Sequence, residues 1–153
     1  MDRRTEMIDV VNMLFSLAMK IQNDYIKNSE FPELSMNEMH VIEAASKEQF
    51  PTMGNVAKRL KITVGSLTTS VKSICRKGFL TKEKSSIDQR MTFLRITDKG
   101  YRALEVHNEF HRQLNHVYSS RIPDDQVDWV YSTLGIIYND LLDYQKSVKE
   151  HKD

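Results

Sequence analysis

The chain has 153 residues, 40% hydrophobic and 28% charged, with three prolines and one cysteine. That makeup belongs to one folded unit, or a small domain with helical extensions, and excludes a disordered chain. The lone Cys75 excludes an internal disulfide and a cysteine-built zinc cage, and a formal net charge of +1 offers no overall attraction to nucleic acid.

Apolar residues at Ile8, Val11, Leu14, Phe15, Ala18, Ile21 and Tyr25 keep the three-and-four spacing of an amphipathic helix and predict one over residues 7–26. Asn28, Ser29 and Glu30 end it, and Pro32 biases the chain away from helix. Ser35 followed by Glu38 has the form of a capping box, opening a second helix with Met36, Met39, Ile42 and Ala45 on its buried side. Thr52 caps a short helix that turns Met53, Val56, Ala57 and Leu60 inward. Thr63 caps another, with Val64, Leu67, Val71 and Ile74 inward. Only Lys61 and Ile62 separate the two.

Gly78 ends that helix, and the period changes from helical to alternating. A hairpin follows, with strands over 79–84 and 91–96, Thr92, Leu94 and Ile96 on one side, and a polar exposed loop over 85–90. Thr97 caps a long helix whose stripe is Tyr101, Leu104, His107, His111, Leu114 and Tyr118. Pro123, with Asp124 and Asp125, suits the N-terminus of a last helix through its fixed φ and the helix dipole. Its apolar residues, from Val127 through Leu134, Ile137 and Leu141 to Val148, run close to a heptad and predict a partner-seeking face.

Two short helices joined by a three- or four-residue turn form a helix-turn-helix unit, whose second helix enters the major groove. Beginning at Thr63, that second helix offers Gly65, Ser66, Thr69, Lys72, Ser73 and Arg76 outward, with Thr68 at the margin. Hydroxyls address base edges or phosphates, small residues permit close approach, and Lys72 and Arg76 pair with phosphate or guanine acceptors. Gly65 near a helix start costs about 1 kcal/mol against alanine, for which close approach to another surface is a motive. Arg90, near the hairpin tip, is long enough to enter a minor groove. Asp88 is expected to hold an arginine, Arg90 or Arg76, by a charge-assisted bond, with an ordinary surface ion pair as the alternative.

Charge is segregated to match. Residues 58–102 carry twelve Lys and Arg against three acids, a local balance of +9 that leaves −8 for the remainder. A basic middle rewards phosphate contact, and acidic flanks stay off the DNA. The expected fold is therefore mainly α: a winged helix-turn-helix over 35–100, an N-terminal dimerisation helix over 1–34, C-terminal dimerisation helices over 101–153, and one short β-hairpin wing. Long terminal helices that pair with their symmetry mates make a homodimer reading a pseudo-palindromic site in double-stranded DNA. The opening Met1-Asp2-Arg3-Arg4 lacks the apolar run of a secretory signal, so the expected location is cytoplasmic, without membrane contact. No glycine-rich phosphate loop, nucleophile elbow or carboxylate pair points to an enzyme. Rival readings are a thiol sensor at Cys75, beside Arg76 and Lys77, and nonspecific architectural DNA binding.

Three histidines form a separate candidate site. His107 and His111 lie one helical turn apart, a chelating spacing, and His40 with a carboxylate such as Asp24 could complete a tetrahedral zinc site. The alternative is a half-buried stripe whose rings satisfy backbone carbonyls or a partner helix.

The element order resembles the MarR family of bacterial winged helix-turn-helix regulators over most of the chain. So do Lys77-Gly78-Phe79-Leu80, Ser85, Asp88-Gln89-Arg90 and Leu94-Arg95-Ile96-Thr97-Asp98-Lys99-Gly100. Cys75 departs from the pattern, since many members carry an acidic residue there. The resemblance implies that Arg90 probes the minor groove, that Asp88 orders the wing, and that the helix from Thr63 lies in the major groove. It also implies an effector cleft between the dimerisation helices and the DNA-reading lobe. Oxidant-sensing members place their reactive cysteine near the N-terminus, which argues against Cys75. Zinc-sensing members are similar in using histidines from the regions of His40, His107 and His111. Glu38-Met39-His40, His107-Asn108-Glu109-Phe110-His111 and Thr63-Val64-Gly65-Ser66-Leu67-Thr68-Thr69-Ser70 also resemble the subgroup that represses fatty-acid synthesis in response to acylated carrier protein. That likeness implies a repressor with no required cofactor, an acyl effector or acyl carrier protein as partner, and an acyl cleft lined by Met13, Leu17, Met39 and Phe110.

Overall fold

The computed structural model describes residues 2–150. Its elements are α1 (Arg3–Lys27), α2 (Met36–Ser46), α3 (Met53–Leu60), α4 (Val64–Arg76), β1 (Leu80–Lys84), β2 (Thr92–Ile96), α5 (Asp98–Ser119), a 3-10 turn (Asp124–Gln126) and α6 (Val127–Glu150). The chain forms two units, one running to His111 and the other from Arg112 onward.

In the first unit, hydroxyl caps start four helices. Ser35 Oγ accepts from the Glu38 amide at 3.2 Å while the Glu38 carboxylate accepts from the Ser35 amide at 2.9 Å, a complete capping box. Thr52, Thr63 and Thr97 accept in the same way from Asn55, Ser66 and Gly100. Each such cap contributes about 1 kcal/mol by satisfying an otherwise orphaned amide. Lys61, at φ 55°, closes α3 in the left-handed region, and Gly78, at φ 84°, follows α4 in the same region, where glycine carries no Cβ penalty.

Behind α4 lies the core: Leu67, Val71 and Ile74 meet Met39 and Ile42 of α2, Val56 of α3, and Phe79, Leu80 and Leu94 of the hairpin, all buried. Met36, Met39, Ile42 and Ala45 are buried as their spacing predicts, whereas Val64, expected inward, is exposed at the first turn of α4. Strands β1 and β2 pair antiparallel with Leu80 opposite Ile96 and Lys84 opposite Thr92. The Leu94 amide donates to the Pro51 carbonyl at 2.8 Å, which fixes the hairpin root to the entry of α3. Gly100 admits the closest approach in this unit, because a Cβ there would lie 2.3 Å from the Phe79 carbonyl oxygen.

Helix α1 buries only Gln22 and Ile26, and Ile8, Val11, Leu14, Phe15 and Ile21 of its apolar stripe stand exposed. The end of α1 packs on α2, so the first 34 residues share a unit with the helix-turn-helix, and the division between units falls inside α5. In the second unit, Pro123 leads into a 3-10 turn before α6 begins, and Trp129, Leu134, Ile137, Leu141 and Tyr144 are exposed along α6. Met1 and residues 151–153, which the expected terminal segments include, lie outside the described residues. No described helix is long and apolar enough to cross a membrane.

Candidate nucleic-acid interface

Burying Leu67, Val71 and Ile74 turns the opposite face of α4 to solvent. Thr63, Gly65, Ser66, Thr68, Thr69, Lys72 and Arg76 are all exposed on or at the cap of this helix, and Asp88 and Arg90 are exposed on the wing. Thr68 Oγ1 donates to the Val64 carbonyl at 2.7 Å, leaving its lone pairs outward. Ser73 departs from the expected outward face: half-buried, it donates to Glu38 Oε1 at 2.7 Å.

That bond belongs to a network that sequence reasoning missed, having read Glu38 only as a capping residue. Lys77 Nζ lies 2.6 Å from Glu38 Oε2 and donates to the Glu33 carbonyl at 2.6 Å, while Lys99 Nζ donates to the Lys77 carbonyl at 3.1 Å. Burial pushes the Glu38 carboxyl up, but bonds from Lys77, the Ser35 amide and Ser73 outweigh it and hold the group below the usual range. The end of the recognition helix is thereby locked to the start of α2. The available signal was Ser73 and Lys77, four residues apart and so on one face of α4.

Asp88 also acts otherwise than expected. Its carboxylate accepts from the Arg90 backbone amide at 2.9 Å, and among the described residues it forms no ion pair with Arg76 or Arg90. An aspartate reaching the amide two residues on closes a local turn at little entropic cost, whereas fixing a guanidinium orders a long side chain. Ser85 Oγ accepts from the Ile87 and Asp88 amides, each at 3.2 Å, and the Met91 amide donates to the Asp88 carbonyl at 2.9 Å. These local bonds order the tip and leave the Arg90 side chain outward.

A second constellation lies where α2 faces α5. His40, Glu43 and His107 bring ligating atoms within 4.8 Å of one another. His107 Nε2 is 3.4 Å from Glu43 Oε2 and 3.1 Å from His111 Nε2, and the buried His107 Nδ1 has no partner. Asp24 is not in this cluster; it lines an open depression with Tyr25 and Val106. Glu43 supplies the carboxylate instead, because it follows His40 by three residues and shares its helix face. The hydrogen bond from His107 holds the Glu43 carboxyl at about 2, and burial followed by the neighbouring His107 lowers both His40 and His111. Imidazoles grouped with a carboxylate are a donor set of the kind that zinc takes.

No family model matches the sequence. The transcriptional regulator AdcR of Streptococcus pneumoniae is 30% identical over 74 residues, which is 48% of this chain and half the length of that relative, 50%. The structure of Streptococcus pneumoniae FabT in complex with DNA is 26% identical, covering 92% of this chain and 99% of that one at a TM-score of 0.84. Staphylococcus aureus MarR, solved with salicylate and kanamycin, shares the fold at 18% identity and a TM-score of 0.73, over 92% and 93% of the two chains. The chain thus resembles the MarR-family regulators in its winged helix-turn-helix fold.

Of the four residues expected to line an acyl cleft, two share an open depression and two are buried. Met13 and Leu17, 70% and 54% exposed, sit with Val10 and Leu14 in an open depression of about 640 Å³ along α1. Met39 is a core residue at 1% exposure, and Phe110 is buried against the Tyr25 ring at a centroid distance of 5.3 Å. A methionine on the inner stripe of α2 fills space between packed helices and is not open to a guest. Cys75 is half-buried, and burial raises its thiol pKa against a smaller opposing effect of Lys82, so Arg76 and Lys77 do not activate it.

Proposed function

We propose that this chain is a sequence-specific DNA-binding transcriptional repressor that acts in the cytoplasm as a homodimer on a pseudo-palindromic operator. The observation that carries this reading is the shared exposure, on one helix-turn-helix and its wing, of Ser66, Thr68, Thr69, Lys72, Arg76 and Arg90. The solved FabT structure, bound to DNA and alike over nearly its whole length, supports it. The exposed apolar faces of α1 and α6 support a second copy as their cover, since a soluble monomer rarely leaves so many large apolar side chains in water. In such a dimer the two recognition helices meet successive major grooves about 34 to 36 Å apart. Sedimentation of the full-length chain tests the assembly: dimeric wild type and monomeric Leu134→Asp,Ile137→Asp are expected, with loss of binding to a duplex selected from a random library. A monomeric wild type that binds the duplex at full affinity would overturn it.

On the signal, the strings shared with fatty-acid-synthesis repressors support an acyl ligand or acylated carrier protein as effector, with no cofactor required for folding. Met13 and Leu17 supply apolar lining, and the remainder of such a cleft comes from the second copy. Operator affinity that changes with acylated but not unacylated carrier protein is the expected result. The histidine cluster favours a second reading, a zinc-responsive repressor in which His40, Glu43, His107 and His111 supply ligands. Zinc bound there would tie α2 to α5. Calorimetric titration of the chain with zinc is expected to show binding that His111→Ala weakens tenfold or more, and no zinc binding by the wild type would remove this reading.

A further inference from the structure

In the hairpin, alternation places Leu80, Lys82 and Lys84 on one face, directly opposite Ile96, Leu94 and Thr92. This is the face that turns toward the helices, because Leu80 and Leu94 are buried in the core. An inward face is expected to stay apolar, yet beyond Leu80 it changes to two lysines. They border an open cleft of about 440 Å³ between the first turns of α3 and α4 and the wing, lined also by Met53, Thr68, Arg90 and Thr92. Three cations thus share the rim of one cleft. Among the described residues, no carboxylate pairs with any of them; the amine of Lys84 reaches only the Gln89 carbonyl, at 3.3 Å. The outer face of the same hairpin is different: Arg95 and Glu83 pair there at 2.5 Å. Clustered like charges repel one another, so their placement around a cleft marks a site for an anion.

We propose that this cleft seats a phosphate of the DNA backbone, with Lys82 and Lys84 as the cations that hold it and the hydroxyl of Thr92 as a further donor. The proposal rests on the DNA-binding reading and deepens it. If α4 occupies a major groove and Arg90 the adjacent minor groove, the phosphate ridge between those grooves must pass between helix and wing. The cleft lies on that path. Its lysines fix the register of the wing against the recognition helix and carry no sequence information themselves.

The test uses the full-length chain and a 30-base-pair duplex selected from a random library. Affinity is measured by anisotropy from 50 to 200 mM NaCl for wild type, Lys82→Gln,Lys84→Gln and Lys82→Arg,Lys84→Arg. Each phosphate contact adds about 0.9 to the slope of log affinity against log salt. The glutamine variant is therefore expected to lose between one and two units of slope and roughly 10- to 100-fold in affinity near 0.1 M salt. Its preference for the selected over a scrambled duplex should be unchanged, and the arginine variant should restore the slope. Circular dichroism melting confirms that both variants fold. Wild-type binding with an unchanged slope in the glutamine variant overturns the proposal and leaves the DNA-binding reading standing. Failure of the wild type to bind any duplex overturns both. Inorganic phosphate at 10 mM is the second arm: if it raises the melting temperature of the wild type but not of the glutamine variant, while the salt slopes agree, the cleft serves free anions and the proposal falls.

Discussion

The ammonium of Lys77 and the carboxylate of Glu38, 2.6 Å apart, join the end of the recognition helix to the first turn of α2. Glu38 is one of only three buried polar or charged residues among those described, and each of its oxygens is satisfied. Removing one partner of a largely buried pair leaves the other uncompensated, and Glu38→Ala also breaks the capping box. The expected loss is about 3 kcal/mol of unfolding free energy, read by urea denaturation. Glu38→Gln keeps an acceptor for Ser35 and should lose less. A loss below about 1 kcal/mol in the alanine variant would mean that the network is only a surface pair.

Gly100 faces the carbonyl of Phe79 so closely that alanine cannot be added without moving backbone. Gly100→Ala should destabilise by about 2 kcal/mol, since overpacking against a rigid partner has no flexible side chain to absorb it. Gly65→Ala is the contrast, because the nearest atom to its added Cβ is Thr63 Oγ1 at 3.8 Å. Its stability should hold or rise by up to about 1 kcal/mol, while DNA affinity falls if α4 approaches DNA closely there. Equal stability changes in the two variants would contradict the packing described.

Arg90→Ala removes the cation at the wing tip and should weaken operator binding with some loss of A·T preference, because narrow A·T minor grooves attract an inserted arginine. Asp88→Ala should weaken binding less, since it loosens the turn that positions Arg90 without deleting the charge. Thr69→Ala, on the recognition face, should change which sequences are selected. Selection from random duplexes measures all three, and identical consensus sites for wild type, Arg90→Ala and Thr69→Ala would contradict direct readout.

Acid should destabilise the fold through its carboxylates. Glu43 is held at about 2 by its bond to His107, against an ordinary value of 4.5, and Glu38 and Glu33 are also lowered. A depressed folded value means the unfolded chain takes up protons first. The carboxylates' contribution is thus complete above about pH 4.5 and declines as pH falls toward 2. Urea midpoints between pH 7 and 3 should show this decline, flattened in Glu43→Gln. Parallel curves for the two proteins would remove Glu43 as a contributor.

Local chemistry made much of the DNA-reading module legible from residues alone. Thr52, Thr63 and Thr97 are short hydroxyl residues before periodic apolar runs, and capping depends only on neighbours three residues away. The change from a helical to a two-residue period after Gly78 likewise declared the hairpin. The basic segment 58–102 and the exposed face of α4 followed from the same patterns.

Long-range contacts were a different matter. Ser73 has the polarity of a surface residue, and only the packing of α4 on α2 gives it Glu38, 35 residues away. Asp88 has two arginines within reach by charge, but the turn geometry gives it a backbone amide. Glu43 replaced Asp24 beside the histidines because α2 presents it to α5, a choice made by helix orientation and invisible to spacing along one segment. The sequence by itself determined the caps, the periods and the segregation of charge, all of which arise within a few residues. Only the tertiary structure decided which buried charges meet and which cations are left facing a cleft, because those depend on how separate elements close upon one core.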